Sequence, residues 1–189
     1  MTELRGTGRA GVFAFEGKEP RIADGVFIAP GAIVIGDVEI GPGSSVWFNA
    51  VIRADCNSVR IGARTNLQDG AIVHVDPDAP CVIGDDVTIG HGAIVHGTTL
   101  GDRCLIGMGA IILSRSELEN EVLVAAGAVV PEDARIPGGV LVAGVPAKVK
   151  RELDAGNRGS LALGAEHYDD YRKRHISGLS VVKGSGNAD

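Results

Sequence analysis

A six-residue period is the feature that most constrains this chain. Each block opens on an aliphatic residue and carries a small or short residue four places later. Ile28-Ala29-Pro30-Gly31-Ala32-Ile33 and Ile40-Gly41-Pro42-Gly43-Ser44-Ser45 are two such blocks. Leu67-Gln68-Asp69-Gly70-Ala71-Ile72, Ile89-Gly90-His91-Gly92-Ala93-Ile94, Ile106-Gly107-Met108-Gly109-Ala110-Ile111 and Val124-Ala125-Ala126-Gly127-Ala128-Val129 keep the rule. The phase holds from about Ile22 to about Val145. Self-similarity of this kind marks stacked units that bury a continuous core only together.

The physical solution is a parallel β-helix. A short flat strand followed by a sharp corner uses six residues, and three blocks close one triangular coil. The opening Ile, Leu or Val fills the interior, and the residue four places on must be small because it points into a narrow corner. The 28 glycines supply corner conformations with positive φ. Coils stack at about 4.8 Å, and the region holds about seven coils at roughly 18 residues each. The alternative, a β-sandwich, alternates over longer runs with turns about every 8–12 residues, and this period disfavours it.

Composition agrees. Hydrophobic content is 44% but aromatic content only 4%, as a thin aliphatic interior requires. A net charge of −6 argues against a nucleic-acid partner. No apolar run is long enough to span a bilayer, so no membrane partner is expected. Residues 1–17 lack the apolar core of a secretory signal, and a cytoplasmic location is the expectation. The boundaries read as a lead-in at 1–21, the repeat at 22–147, a linker and helix at 148–176 and a tail at 177–189. In the helix, Ser160 is the expected N-cap. Leu161, Ala165, Tyr168 and Arg172 share the face that packs on the prism, while His167 and His175 are read as solvated. Cys104 occupies a small inward slot and Cys56 is read into the same slot of its block. Cys81 lies in a Pro-flanked insertion, and no CxxC pair indicates a zinc knuckle or disulfide framework.

Three histidines carry the chemistry. His74 follows the opening Val73 and His96 follows the opening Val95, one full coil later. Both therefore point outward from the same face, one strand spacing apart, and can share one ion. His91 sits two places after Ile89, on the preceding face, and aims elsewhere. A threefold-related copy could bring its His91 to the His74/His96 pair, so the expectation is a homotrimer with metal sites at its interfaces. Three imidazoles with an open fourth position describe a catalytic zinc site, where bound water reaches a pKa of about 7. Fe2+ or Co2+ suits the same ligands.

The set Arg53-Ala54-Asp55, Asn66-Leu67-Gln68-Asp69-Gly70, His74 and His91-Gly92-Ala93-Ile94-Val95-His96 resembles the γ-class carbonic anhydrases, closest to their short bacterial carbonic-anhydrase-like branch. The resemblance covers nearly the whole chain. It implies a left-handed coil and zinc on His74, His91 and His96, with His91 donated by the neighbour. It implies that Arg53 pairs with Asp69 across the interface and helps hold bicarbonate. Gln68 would orient the attacking oxygen, Asn66 would assist near the substrate, and Asp55 would join the interface network. Tyr168 would close the pocket from the helix. The implied reaction is reversible hydration of CO2 to bicarbonate.

The chain departs from the best-characterised members at one telling place. They carry a glutamate after the Arg-x-Asp motif and another in a longer acidic loop, both associated with proton export. Here Cys56 follows Asp55, and the loop after His74 is short, leaving Asp76 or Asp78 as substitutes. Two other functions compete: acyl-CoA chemistry, as transferase or metal-dependent thioesterase, and a catalytically weak metal or ligand binder of the type labelled siderophore-binding.

Overall fold

A computed structural model of the protein describes residues 11–180. The six-residue period becomes three flat faces. The first face stacks seven parallel strands, from Phe27–Ile28 through Ser45–Val46, Asn66–Leu67, Thr88–Ile89, Leu105–Ile106 and Leu123–Val124 to Val140–Ala143. The second face includes Ile72–His74, Ile94–His96, Ile111–Ile112 and Val129–Val130. The third includes Cys81–Ile83, Thr99–Leu100, Glu117–Leu118 and Arg135–Ile136. Two long strands, Ile33–Ile40 and Val51–Ile61, run round the corner from second face to third. The protein is a parallel β-solenoid of about seven turns, as the period predicts.

The inward column is aliphatic. Leu67, Ile89, Ile106 and Val124 are fully buried, and so are the small corner residues Ala71, Ala93 and Ala110. Among the described residues the main core cluster holds no aromatic ring. Each inward leucine or isoleucine contributes about 1.5–3 kcal/mol of transfer free energy. Coils approach so closely that a Cβ on Gly62 would stand 2.6 Å from the carbonyl carbon of Gly84.

Glycines supply many of the corners, as expected, but not all of them. Between the third face and the first, Arg64, Asp86, Arg103 and Glu121 take φ of 53°, 57°, 53° and 60°. Each such residue costs about 1–2 kcal/mol of backbone strain. Stacked ion pairs offset part of it: Arg64 Nε donates to Asp86 Oδ1 at 2.6 Å and Arg103 Nε to Glu121 Oε1 at 3.1 Å.

Outward residues give each face a different character. The third face carries a charged ladder, with Arg21 paired to Glu39 and Arg135 Nη2 lying 3.2 Å from Glu117 Oε1. The second face carries Ile33, Val51, Ile72, Ile94, Ile111 and Val129 in unbroken register. This apolar column is about 24 Å long at the usual strand spacing, and Ile72 within it is 40% exposed. The first face carries Phe27 and Trp47, buried under the C-terminal helix with Phe48, Tyr168 and Leu179.

The ends differ from the expected boundaries. Gly11–Phe13 and Arg21, read as a lead-in, already belong to the coil: Gly11–Phe13 pairs in parallel with Ile33–Ile35, and Arg21, together with Ile22 of the repeat, with Glu39–Ile40. Lys148–Glu152, read as linker, folds back antiparallel on Val140–Ala143. The helix spans Ala155–Gly178 and is capped by Asp154, whose carboxylate accepts from the Asn157 N–H at 2.8 Å. Ser160 is inside the helix, its hydroxyl donating to Gly156 O at 3.0 Å. Asp154 precedes the two glycines that suggested a loop, and packing on the coil outweighs their low propensity. The expected face is correct: Leu161 and Ala165 are buried, and Arg172 Nη1 donates to Gly25 O at 2.5 Å. His175 is not solvated but stands edge-on to Trp47 at 4.8 Å. Of the expected tail, residues 181–189 lie outside the described residues.

Candidate metal centre

His74 and His96 are directly opposed neighbours in the second face, as their spacing predicts. They end their strands at the corner leading to the third face. His74 Nδ1 lies 2.9 Å from His96 Nε2, with ring centroids 4.9 Å apart. The other nitrogen of each ring is engaged. His74 Nε2 lies 3.1 Å from Asp55 Oδ1, and His96 Nδ1 lies 2.8 Å from Ser114 Oγ. Ser114 donates its proton to Asp76 Oδ2 at 2.5 Å, so towards His96 it accepts. Asp55 accepts from His74. With both outer nitrogens protonated, the inner two present lone pairs to each other. Only a shared cation, a proton or a metal ion, satisfies both.

That arrangement fits a zinc-class ion. Tetrahedral Zn–N bonds of about 2.0–2.1 Å put two ligand nitrogens roughly 3.3–3.4 Å apart. The pair needs to open by only about 0.5 Å. Both rings are half-buried, and their outer hydrogen bonds hold them in place as metal-bound histidines require.

His91 belongs to the opposite corner, between the first and second faces. It is exposed in the turn after Thr88–Ile89, with Nδ1 2.9 Å from Asp69 Oδ2. Its backbone N–H donates to Gln68 Oε1 at 3.1 Å. Asp69 thus accepts one ring N–H and frees Nε2 as a ligand. Five residue steps from His91 to His96 span the face, at most about 16 Å at strand rise. The His74/His96 pair and His91 therefore lie on two edges of one apolar column.

The remaining expected residues divide between these edges. Gln68 and Asn66 are buried beside the His91 corner, Gln68 Nε2 lying 3.4 Å from Asn66 Oδ1 and Asn66 Nδ2 donating to Thr88 Oγ1 at 2.9 Å. Tyr168 stands edge-on to Trp47 at 5.4 Å. Its hydroxyl pKa is raised, by burial first and then by the Asp69 carboxylate. Within the chain Arg53 does not reach Asp69: it pairs with Asp55, while Asp69 meets His91. Burial pushes the Asp55 carboxyl up, but hydrogen bonds from Arg53 and His74 outweigh it and hold the pKa at about 2.

Cys56 is a correction. It is exposed, not inward. Ala54 pairs with Gly36 and Val59 with Val38, so four residues on one strand, 55–58, face one on the other. The surplus bulges outward, carrying Asp55 and Cys56 to His74. Cys56 Sγ donates to Val75 O at 3.4 Å, and its pKa is raised by desolvation and then by Asp55. Cys104 and Cys81 are buried, with thiols pushed up to about 11 and about 12. Ser114 was missed from sequence; the signal was its position one coil beyond His96, 18 residues on.

Comparison with known proteins follows the same lines. Residues 19–54 match the family described as bacterial transferase hexapeptide (six repeats), and residues 80–114 match the hexapeptide repeat of succinyl-transferase. The chain is 41% identical over 166 residues to gamma carbonic anhydrase 2, mitochondrial, of Arabidopsis thaliana, covering 85% of this chain and 60% of that protein. It thus spans three fifths of that plant relative. It is 45% identical over 142 residues to a carbonic anhydrase of Geobacillus kaustophilus, covering 75% of this chain and 78% of that one. The solved structure of a hexapeptide transferase family protein from Anaplasma phagocytophilum superposes with a TM-score of 0.84 at 35% identity, covering 89% and 98% of the two chains. With solenoid, repeat and relatives in agreement, this chain belongs to the γ-class carbonic anhydrase-like family of hexapeptide-repeat proteins.

Proposed function

We propose that this protein is a metal-dependent γ-carbonic anhydrase, a homotrimer that hydrates CO2 to bicarbonate at centres shared between copies. The observation that carries the reading is the His74/His96 pair, whose facing lone pairs call for a cation. His91 stands on the far edge of the same apolar column, so a copy docked along that column would complete the set. An exposed apolar stripe of this length supports burial against a second copy. His74, His96 and the neighbour's His91 would hold Zn2+, with Fe2+ or Co2+ as alternatives on the same donors. The ion, when bound, supplies the Lewis acidity that makes water nucleophilic near neutral pH.

The chain's own residues do the rest. Asp69 holds the His91 ring through Nδ1, and Ser114 with Asp76 holds the His96 ring. Gln68, anchored between the His91 backbone and Asn66, orients the attacking oxygen at the mouth of the centre. Arg53 stands exposed beside Asp55, where a guanidinium steadies bicarbonate, and across the interface it meets the acidic Asp69 corner. For proton export the candidate acceptor is Asp76, which Ser114 links to His96. Among the described residues no helix is long and apolar enough to cross a membrane. We place the protein in the cytoplasm, with CO2 and bicarbonate rather than a macromolecule as its partners; fractionation of the native cell tests this.

The decisive experiment is metal content of anaerobically purified protein, followed by CO2 hydration on the same sample. Stoichiometric zinc or iron with hydration lost on chelation supports the reading. A second reading, acyl-CoA transfer or metal-dependent thioester cleavage, draws on the likeness to a hexapeptide transferase structure. Thioester cleavage with and without chelator separates the two. Full metal occupancy with neither activity would instead support a metal- or ligand-binding trimer.

A further inference from the structure

The rings of His74 and His96 are oriented from two separate stretches of chain. Asp55, which accepts from His74, stands on the bulge at 55–58. Asp76, which accepts from Ser114 and so orders His96, stands in the turn that follows His74. In that turn Asp76 and Ala79 exchange two backbone hydrogen bonds, each 3.1 Å long. One side chain joins bulge to turn. Asn57 Nδ2 donates to Asp76 O and to Pro77 O, both at 3.1 Å, and its Oδ1 accepts from the Ser58 N–H at 2.8 Å. Both amide protons and the amide oxygen are therefore used. Turning the amide over would set its oxygen against two carbonyl oxygens, so the network fixes its orientation.

We propose that Asn57 is a positioning residue of the metal centre. It ties the Asp55 bulge to the Asp76 turn, so that the two carboxylates ordering the histidine rings are fixed relative to each other. The inference rests on the metal reading above and deepens it. Outer hydrogen bonds decide how well a ring points at its ion, and here they come from two irregular segments that the coil's own ladder does not hold in register. Without Asn57, one side-chain hydrogen bond joins the bulge to residues 75–79 among the described residues, from Cys56 Sγ to Val75 O at 3.4 Å. A thiol is a weak donor, so the amide carries the connection.

Zinc affinity, read by competition with a chromophoric chelator, tests this. Asn57→Asp keeps the shape of the side chain and its acceptor for Ser58, and loses both donations to the turn. Its added negative charge would by itself strengthen cation binding, so weaker binding reports the lost connection. Asn57→Asp and Asn57→Ala are both expected to keep the far-ultraviolet dichroism of the wild type and to bind zinc about 10-fold more weakly. Because Asn57 acts through Asp76 and Ser114, Asn57→Asp combined with Ser114→Ala should cost less than the product of the two single effects. Should Asn57→Ala fail to fold, Asn57→Asp decides on the same measurements. Wild-type affinity in the variants overturns the inference and leaves the metal reading standing. Fully multiplicative effects overturn it too, since they describe two independent faults. A wild type that takes up no zinc defeats the inference and the metal reading together.

Discussion

Ser114 and Asp69 perform the same task on two edges of the prism: each accepts one ring N–H and leaves the other nitrogen of a histidine for a metal. Ser114→Ala should therefore weaken metal binding by roughly 10–100-fold while the coil stays folded. Competition with a chromophoric chelator measures it, and unchanged affinity would remove Ser114 from the centre. His91→Ala removes a proposed ligand itself. Because His91 faces outward, that variant should lose the metal and keep its far-ultraviolet dichroism. Asp55 carries a pH signature. Its carboxyl, held at about 2 against an ordinary 3.8, contributes stability that is complete above the ordinary value and lost as pH falls towards 2. Wild-type protein should thus lose thermal stability between about pH 4 and 2 more steeply than Asp55→Asn. The histidines were legible because the period fixes which side of a strand each occupies. Ser114 was not, because a serine one coil away has meaning only once the His96 ring orientation is known.

Among the elements, the regular coils follow the period and one strand departs from it. The inward slots at Leu67, Ala71, Ile89 and Ala93 lie where the repeat places them. The bulge at 55–58 does not obey it. A count in sixes carries Cys56 inward, whereas three surplus residues push it out. The helix shows the other limit of sequence reading. Its buried face was legible from Leu161, Ala165 and Tyr168, but its start was not, because Gly156 and Gly159 read as a link until Asp154 is seen to cap them. What holds the helix is the aromatic cluster on the first face. Trp47 meets Phe27, Tyr168 and His175 at centroid distances of 5.4, 5.4 and 4.8 Å. Trp47→Ala should remove about 3–5 kcal/mol of packing there. Hydrogen exchange should then speed up across Ala155–Gly178 while the amides of Thr88–Ile89 and Leu105–Ile106 stay protected. Uniform loss of protection would mean that helix and coil unfold as one unit.

For the whole molecule, the three faces divide the labour. One is covered by the helix, one carries charge, and one carries the apolar column between the His91 corner and the His74/His96 corner. The central claim is that a metal centre needs His91 from one copy and His74 with His96 from another. Mixed assembly tests it most directly. His91→Ala and His74→Ala, each expected to be metal-free alone, are unfolded, mixed in equal amounts and refolded together with zinc. Random assortment into cyclic trimers rebuilds one intact interface in every mixed trimer, or about one quarter of all sites. The account predicts zinc recovered at about that level. Mixed trimers that assemble but bind no zinc would contradict it, as would either variant retaining full zinc by itself.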